Sequence, residues 1–356
     1  GVVVGVVGMG VGRAGSARAP AVLILVGSAV AAPIDTVRLL SGADPLDGAP
    51  IVSRHIDHPD HDRARAWIVD QLAALDGFEV TFTPFDADRD LANVVARRAG
   101  TDDALPELVV GAHYDTTGAF TDGWVPATDP APGADDDASG CAAVLALAER
   151  LNAGSFRHPV RLVWFDAEEE GLLGSVALAQ QLADEGVVID AMIQLDPVGY
   201  SPGGFDGGAP LLWITYDDRW PELADGLAAR ADGTGLDGTA IDRALIGGDT
   251  RSDHAPFWDH GFPAVHLASF PQPPTYHTVD DTIANVDPAF LDAVTAVLID
   301  EVVARAVPVD AVDDPPPGCG CSGAGGAGGP EAAGWVLCAI AARTVRRRLS
   351  RRFDPR

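Results

Sequence analysis

The 356-residue sequence predicts an α/β fold: a three-layer α/β/α sandwich around a mixed, mostly parallel sheet. Two observations lead to this prediction. Strand-like and helix-like segments alternate along the chain between about residue 78 and residue 306. Several strand segments, such as ELVVGA and RLVWF, are apolar without a polar alternation, which is typical of a sheet covered by helices on both faces. A hydrophobic content of 47% is enough for one large core.

The predicted elements follow from local composition. The strand segments are rich in β-branched and aromatic residues, whereas the helix segments, such as ASGCAAVLALAERL, are rich in Ala and Leu. The predicted strands are 78–85, 91–97, 107–113, 161–167, 190–196, 210–216 and 263–269. The predicted helices are 61–75, 138–152, 172–184, 219–231 and 288–306. Together they form one domain, 33–306.

The segment 1–32 has the order of a secretory signal. Two arginines are followed by the apolar run AVLILVGSAV and then by the small residues AVAAP. The competing interpretation is a dinucleotide-binding turn, because GVGRAG at 10–15 fits the glycine fingerprint. That turn must open a helix, yet Pro20 follows within a few residues, so we favour the signal. The sequence therefore predicts an exported protein that begins near Pro33.

The C-terminal part divides into a linker, 307–333, and a tail, 334–356. The linker contains DDPPPGCGCSGAGGAGGP, which is too rich in Pro and Gly to form a core. The tail joins WVLCAIAA to RTVRRRLSRR; the apolar part is shorter than the roughly 20 residues of a spanning helix. The order Cys-Gly-Cys, apolar segment, Arg cluster resembles the sorting tail of many myxobacterial surface and secreted proteins. This resemblance implies attachment to a membrane or cell surface; the alternative is a disordered basic tail.

Charge and cysteine content narrow the possible partners. A formal charge of −28 repels phosphate backbones, so we expect no nucleic-acid partner. Cys319 and Cys321 lie in the linker, and Cys141 is the one cysteine between residues 33 and 306. We therefore expect no internal disulfide there and interpret Cys141 as a buried packing residue.

Metal-binding residue types follow the ends of several predicted strands. The segments are GAHYD at 111–115, PGADDDASG at 132–140, DAEEE at 166–170, QLDP at 194–197 and YHTVDD at 276–281. In α/β sheets the chemistry lies beyond the carboxyl ends of the strands. Adjacent carboxylates such as Glu168, Glu169 and Glu170 repel one another unless water or a cation surrounds them. Two histidines with acids from three further segments match the nitrogen and oxygen ligands of zinc.

This set of motifs, in this order, resembles the secreted bacterial dinuclear-zinc aminopeptidases of the leucyl aminopeptidase type. The resemblance runs from about Ile51 to Ala306. It implies a zinc exopeptidase fold, two Zn²⁺ ions, and peptide substrates with a free N-terminus. We also expect a monomer.

The resemblance implies a role for each matching residue. His113 and Asp196 would bind one metal, Glu169 and His277 the other, and Asp136 would bridge the two. Glu168 would be the general base, and Tyr276 would support the tetrahedral intermediate. Asp115 would orient the His113 ring, Asp281 the His277 ring, and Arg251 would contact substrate. The remaining acids of these motifs would not bind metal. Asp135 would lie at the surface or support a metal ligand, Asp137 would cap a helix, and Glu170 would have no role. The resemblance also implies a cis peptide between Asp136 and Asp137.

Other functions stay open on the sequence alone. Members of the same fold include glutaminyl cyclases, which would use one zinc, and carboxypeptidases, which would need a cationic pocket for a terminal carboxylate. A non-catalytic surface binding domain is a third alternative, although such domains generally lose metal ligands. Serine hydrolysis is not expected because the sequence has no Gly-x-Ser-x-Gly elbow.

The remaining histidines and the loops near the motifs complete the predictions. His55, His58 and His61 are expected in a loop and a helix entry, because Pro59 interrupts a ligand-bearing helix. His266 is expected to be a hydrogen-bonded core histidine. The loops at 118–131, 200–210 and 232–250 are expected to shape the substrate pocket.

Overall fold

A computed structural model describes residues 32–203 and 208–309 of the chain. The helices in these ranges are α1 Pro33–Leu40, α2 Asp60–Ala73, α3 Ala138–Asn152, α4 Leu173–Asp184, α5 Pro221–Thr234, α6 His254–Asp259 and α7 Pro288–Ala306. The strands are β1 Glu79–Asp86, β2 Leu91–Arg98, β3 Glu107–His113, β4 Val160–Phe165, β5 Ile189–Leu195, β6 Leu211–Tyr216, β7 Asp237–Asp242 and β8 Ala264–Ser269. Short 3-10 helices lie at Arg243–Ile246 and Ile283–Asn285.

The strands form one mixed sheet in the order β1-β2-β4-β3-β5-β8-β6-β7. The central strands β4, β3, β5 and β8 run parallel, and β6 and β7 are parallel to each other. The pairs β1–β2, β2–β4 and β6–β8 are antiparallel. The carboxyl ends of the four central strands therefore meet at one edge of the sheet.

Helices cover both faces of the sheet, and alternate strand residues point to each side. On one face, side chains of β3 such as Leu108 and Val110 pack with α1, α2, α3, α5 and α7 in the larger core cluster. On the other face, Val109 and Met192 pack with α4 and α6. This is the three-layer α/β/α sandwich with a mixed sheet that the sequence predicts, and the prediction is confirmed.

Most predicted elements are confirmed to within one or two residues, but three elements were missed. The short helix α1 precedes the first predicted element. Strand β7 lies inside 232–250, which the sequence analysis assigned to a loop; its sequence DGTAID has a weak apolar pattern because this edge strand is only half-buried. Helix α6 contains Pro256, a residue that usually argues against a helix interior but is tolerated in the first turn.

Several predictions concern residues that the structure does not describe. The signal region, apart from Ala32, and all of the tail lie outside the described residues, as does the linker beyond Val309. Among the described helices, none is both long and apolar enough to cross a membrane.

Candidate functional site

The predicted metal ligands lie together at the carboxyl edge of the central strands. His113 is the last residue of β3, and Asp196 directly follows β5. Glu169 lies in the turn after β4, and His277 lies in the segment after β8. Asp136 precedes α3, whose N-terminus faces the same edge. Five sequence segments therefore converge because parallel strands end side by side.

One group of possible ligands surrounds the Nε2 atom of His113. This atom lies 3.0 Å from Asp136 Oδ1 and 3.5 Å from Asp196 Oδ1. The three ligand atoms lie within 4.8 Å of one another, so the group could hold one metal ion.

A second group surrounds the Nε2 atom of His277. This atom lies 3.1 Å from Asp136 Oδ2 and 3.1 Å from Glu169 Oε2. The group again has ligand atoms within 4.8 Å of one another. Asp136 thus faces one histidine with each carboxylate oxygen, which is the arrangement of a carboxylate shared by two sites.

The chemistry of these side chains fits divalent cations. Four carboxylates, those of Asp136, Glu168, Glu169 and Asp196, are buried close together. Within the described part of the chain, Glu169 Oε1 is buried without a hydrogen-bond partner. Buried carboxylates without partners are costly unless they bind a cation or become protonated. Imidazole nitrogen and carboxylate oxygen are also the donors that zinc takes in catalytic sites.

The pKa values of these groups reflect the close packing of buried carboxylates around His113. Burial alone would lower the pKa of His113, but Asp196 and Glu168, with contacts to Asp115 and Asp136, raise it well above its ordinary value. Burial raises the pKa of Glu168 and of Glu169 well above the usual range, and neighbouring carboxylates add to the shift.

Asp136 behaves in the opposite way to the two glutamates. Burial would raise the pKa of its carboxyl group, but hydrogen bonds and charge interactions with His113 and His277 outweigh burial and lower it. The carboxylate between the two histidines is therefore the one most favoured in its charged form.

Glu168 and Glu169 are held by a tight turn that Asp115 fixes. The Asp115 carboxylate accepts hydrogen bonds from the backbone N–H of Glu168 and of Glu169, both at 3.1 Å. Ala167 has φ 55° and Leu172 has φ 63°, so the chain bends sharply on both sides of the pair. This bend brings two adjacent side chains toward one site, which an extended strand would not do.

Asp115 also lies beside the His113 ring, as the sequence predicts. Its Oδ1 atom is 3.5 Å from His113 Nδ1, and its carbonyl oxygen is 3.2 Å from the same nitrogen. These contacts leave Nε2 to face Asp136 and Asp196.

The predicted partner of Asp281 needs correction. The resemblance implied that Asp281 orients the His277 ring. Instead, its carboxylate accepts hydrogen bonds from the backbone N–H of Asp135 at 3.2 Å and of Asp136 at 3.0 Å. Asp281 therefore positions the loop that carries the shared carboxylate.

The other two acids of the Asp135–Asp137 run have structural contacts. Asp137 is the N-cap of α3, as predicted, and its Oδ1 atom accepts a hydrogen bond from Gly140 N. Asp135 is fully buried rather than at the surface, and its Oδ1 atom accepts a hydrogen bond from Gly199 N. The peptide between Asp136 and Asp137 is cis, as the resemblance implies.

Glu170 differs from its two neighbours in exposure. Its side chain is 38% exposed, whereas that of Glu169 is 5% exposed. Glu170 Oε1 lies 3.2 Å from His55 Nε2, at the edge of the site. His55 is in a loop and His61 is in the first turn of α2, as predicted.

Aromatic rings border the second group of ligands. The Tyr276 ring stacks on the His277 ring with centroids 3.7 Å apart. The Phe120 ring lies 5.0 Å from His277 and is largely exposed. Phe120 belongs to 118–131, one of the loops predicted to shape the substrate pocket.

Arg251 lies at the mouth of the site. It lines the cavity that contains Glu168, Glu169, Tyr276 and His277. Its Nε atom donates to Asp249 Oδ1 at 2.9 Å, and its side chain is 68% exposed.

His266 is a buried, hydrogen-bonded histidine, as the sequence predicts. Its Nε2 atom lies 2.5 Å from the carbonyl oxygen of Asp196, a predicted ligand. Its Nδ1 atom lies 3.7 Å from Asp249 Oδ2, on the side of a neighbouring cavity.

Sequence reasoning missed two buried residues that support the site. The Arg54 guanidinium donates to the carbonyl oxygens of Leu40, Tyr114, Pro132 and Gly133, and it is completely buried. Asp166 Oδ1 lies 2.8 Å from His61 Nε2, and Asp166 Oδ2 accepts a hydrogen bond from the backbone N–H of Ala92. The position of Asp166, two residues before Glu168, was the one available signal; the sequence around Arg54 has no comparable motif.

Comparison with known families gives a match over the core of the chain. The family described as "Peptidase family M28" matches residues 93–302, more than half of the sequence, and this range includes all five predicted ligand positions.

Two curated relatives carry the name leucine aminopeptidase 1. The protein of Trichoderma harzianum is 36% identical over 125 residues, which span 33% of this chain and 30% of the relative. The protein of Aspergillus niger is 29% identical over 204 residues, which span 54% of this chain and 49% of the relative. The matches thus cover about a third to a half of these relatives.

Two solved structures share the fold. The LapA aminopeptidase of Legionella pneumophila has a TM-score of 0.64 at 21% identity, covering 77% of this chain and 71% of that one. The glutaminyl cyclase of Porphyromonas gingivalis has a TM-score of 0.61 at 20% identity, covering 77% of this chain and 97% of that one. At these identities the similarity establishes the fold alone.

Proposed function

Because the chain belongs to peptidase family M28, we propose that it is a zinc-dependent aminopeptidase that removes N-terminal residues from peptides. The observation that carries the proposal is the position of Asp136. Each of its oxygens faces one histidine, and each histidine has a further carboxylate beside it. The proposed ligands are therefore His113, Asp136 and Asp196 for one zinc ion and Asp136, Glu169 and His277 for the other.

The chain's own residues supply the proton transfers and the positioning. When bound, a pair of zinc ions supplies Lewis acidity toward the scissile carbonyl and lowers the pKa of water. Glu168, buried beside the ligands, would accept a proton from the attacking water and pass it to the leaving amine. The Asp115 carboxylate would hold Glu168 in place by accepting a hydrogen bond from the Glu168 backbone N–H. Tyr276 would donate a hydrogen bond to the tetrahedral intermediate.

The proposed substrates are peptides with a free N-terminus, and the leucine aminopeptidase names of two relatives support this class. The acidic side chains around the site would favour the substrate ammonium group. Arg251 would contact another part of the peptide at the mouth.

A glutaminyl cyclase reaction is the second candidate, because the fold also matches a glutaminyl cyclase over nearly its full length. That reaction would use one zinc ion and release ammonia from an N-terminal glutamine. The second group of ligands, with His277 and Glu169, favours the two-metal peptidase. A carboxypeptidase or a non-catalytic binding domain would cleave neither of the two anilides in the test below, since neither anilide has a terminal carboxylate.

The proposed setting is outside the cell. The segment 1–32 supports export, and the tail 334–356 supports attachment to a membrane or cell surface. Fractionation of cells that express the chain tests both proposals. Full-length protein in the cytoplasm with residues 1–32 still present would contradict them.

One experiment separates these functions. The purified protein is loaded with Zn²⁺, its metal content is measured by emission spectroscopy, and it is offered leucyl p-nitroanilide and N-acetyl-leucyl p-nitroanilide. We expect about two zinc ions per chain and cleavage of the unblocked substrate alone. Cleavage of the blocked substrate alone would overturn the aminopeptidase assignment. Ammonia release from a glutaminyl peptide without peptide hydrolysis would establish the cyclase instead.

A further inference from the structure

Two cavities meet beside the proposed metal ligands. One contains Glu168, Glu169, Tyr276 and His277, and the other, of about 560 Å³, extends along β6 and β8. Three residues line both cavities: Thr250, Arg251 and Gln272. A peptide bound with its scissile bond at the ligands therefore places a neighbouring group beside Arg251.

The second cavity has an apolar wall and a charged edge. Trp213 and Phe270 stack on each other with ring centroids 4.4 Å apart, and together they form one wall. The lining also includes a charged edge formed by Asp249 and Arg251. The wall can pack against the aliphatic part of a substrate, whereas the edge can discriminate by charge.

Asp249 fixes Arg251 but is not itself free to attract a cation. The carboxylate is 5% exposed, and it already pairs with Arg251 through Oδ1 and lies near His266 Nδ1 through Oδ2. Burial would raise its pKa, but His266 and Arg251 outweigh burial and lower it, so it stays charged. A lysine or arginine of the substrate would have to compete with the internal partner.

Arg251, in contrast, has N–H groups that no described residue accepts. Within the described residues its one hydrogen bond runs from Nε to Asp249, while its guanidinium carries further N–H groups. It is also the one arginine that lines either cavity. A guanidinium held through Nε presents its two terminal nitrogens as a fork, the geometry that matches a carboxylate.

We infer that Arg251 is a specificity-determining residue that binds a carboxylate of the substrate, so that the enzyme prefers peptides carrying one close to the cleaved bond. The inference rests on the proposed peptidase function and names its substrate class. The carboxylate has two possible sources: an acidic side chain on the first residue, or the terminal carboxylate of a dipeptide.

Two matched substrate pairs test the inference and separate the sources. Glutamyl and glutaminyl p-nitroanilide differ in the side-chain carboxylate alone. Leucyl-glycine and leucyl-glycine amide differ in the terminal carboxylate alone. We expect kcat/KM to favour the carboxylate member of one pair by roughly fivefold, the upper end for a partly exposed ion pair. The pair that shows the preference identifies the source.

The variant Arg251→Gln should bring this ratio close to one, and Arg251→Lys should give an intermediate ratio because it keeps the charge without the fork. Arg219→Gln is the matched control. Arg219 also donates through Nε to an aspartate two residues earlier, Asp217, but it lines neither cavity. The preference should be unchanged in that variant and should weaken as salt is added.

Three results are decisive. Ratios of one or less for both pairs in the unmodified protein would overturn the inference, as would a preference that survives Arg251→Gln. In both cases leucyl p-nitroanilide is still cleaved, so the proposed aminopeptidase function stands. Failure to cleave any of the free N-terminal substrates would instead overturn the proposed function, and the inference with it.

Discussion

Replacing Glu168 with Gln removes one proton acceptor while keeping the shape of the site. Gln has the same size, and the backbone N–H of residue 168 still donates to Asp115. The side chain is buried within reach of His113 and Glu169, so an amide there keeps a hydrogen-bonding group but cannot take up a proton. We therefore expect a chemical defect without a change of fold.

The expected loss in turnover is roughly 10²- to 10⁴-fold, the usual contribution of a general base. At about 1.36 kcal/mol for each factor of ten, this corresponds to roughly 2.7 to 5.4 kcal/mol of transition-state stabilisation. The loss should fall on kcat with little change in KM, because the carboxylate takes part in proton transfer during the reaction and not in binding the peptide.

The assay combines leucyl p-nitroanilide kinetics with metal analysis of the same samples. Glu170→Gln is the matched control: it is the adjacent residue, it carries the same charge, and its half-exposed side chain contacts His55 at the rim. Its activity should stay within a few-fold of the unmodified protein, and both variants should keep about two metal ions per chain.

Two outcomes would refute this reasoning. His113, Glu168 and Glu169 also form a group whose ligand atoms lie within 4.8 Å of one another. If Glu168→Gln lost a metal ion, Glu168 would be a ligand rather than a base. If Glu170→Gln were the more damaging change, the assignment of the three glutamates would be off by one residue.

Four further predictions concern the metals and the residues that hold the site. Glu169→Gln should lower zinc content to about one ion per chain, because it removes a carboxylate oxygen 3.1 Å from His277 Nε2; unchanged content would contradict its role as a ligand. Asp281→Asn should weaken zinc binding roughly 10- to 100-fold in a metal titration, since an amide would disturb the N–H contacts that position Asp136. Unchanged affinity would show that the loop carrying Asp136 keeps its position without the Asp281 carboxylate. Arg54→Lys should reduce the free energy of unfolding by roughly 2 to 4 kcal/mol in urea, because lysine cannot satisfy four buried carbonyl oxygens. Arg63→Lys should cost less than Arg54→Lys, because Arg63 also donates to three backbone carbonyl oxygens but is 35% exposed, so water can replace the lost contacts; equal losses would contradict the argument. Chelation should lower the melting temperature, since the buried carboxylates lose their counter-charge, and Zn²⁺ should restore it; an unchanged melting temperature would argue against a buried metal site.

The sequence predicts the interior of the fold well because burial imposes clear patterns there. The helices 138–152 and 288–306 have the predicted bounds, since long Ala- and Leu-rich runs are bounded by an aspartate cap at each start. Strand 107–113 is likewise correct because all of its residues are buried. Strand β7 at the sheet edge was missed, because half-buried strands show little periodicity.

The same contrast applies to the site. The histidines and acids that the resemblance selects are brought together at one edge of the sheet. His113, Glu169 and Asp196 lie at or just beyond the ends of central strands, and Asp136 and His277 lie in loops at the same edge. The role of Arg54 could not be predicted, since its four carbonyl partners belong to backbone far apart in sequence. The prediction for Asp281 failed for a related reason: the resemblance assigned its carboxylate to the His277 ring, whereas folding brings the 135–136 backbone to it.

The acids beside the proposed ligands follow a common structural rule. Asp115, next but one to His113, holds the turn that carries Glu168 and Glu169. Asp281, four residues beyond His277, holds the loop of Asp136. Asp135, adjacent to Asp136, holds the backbone at Gly199, three residues beyond Asp196. In each case an acid near one ligand accepts N–H groups from the loop of another.

These contacts tie each ligand loop to another ligand loop. Carboxylate–N–H contacts are directional and strong when buried, so they fix loop positions more sharply than apolar packing does. They also add negative charge around the proposed metal sites, which would strengthen cation binding and make the metal-free site less stable. The two proposed zinc sites are therefore coupled through the backbone as well as through Asp136. Loss of one ion should loosen the loops that hold the other, so zinc should leave the Glu169→Gln variant more readily than its remaining ligands alone would suggest.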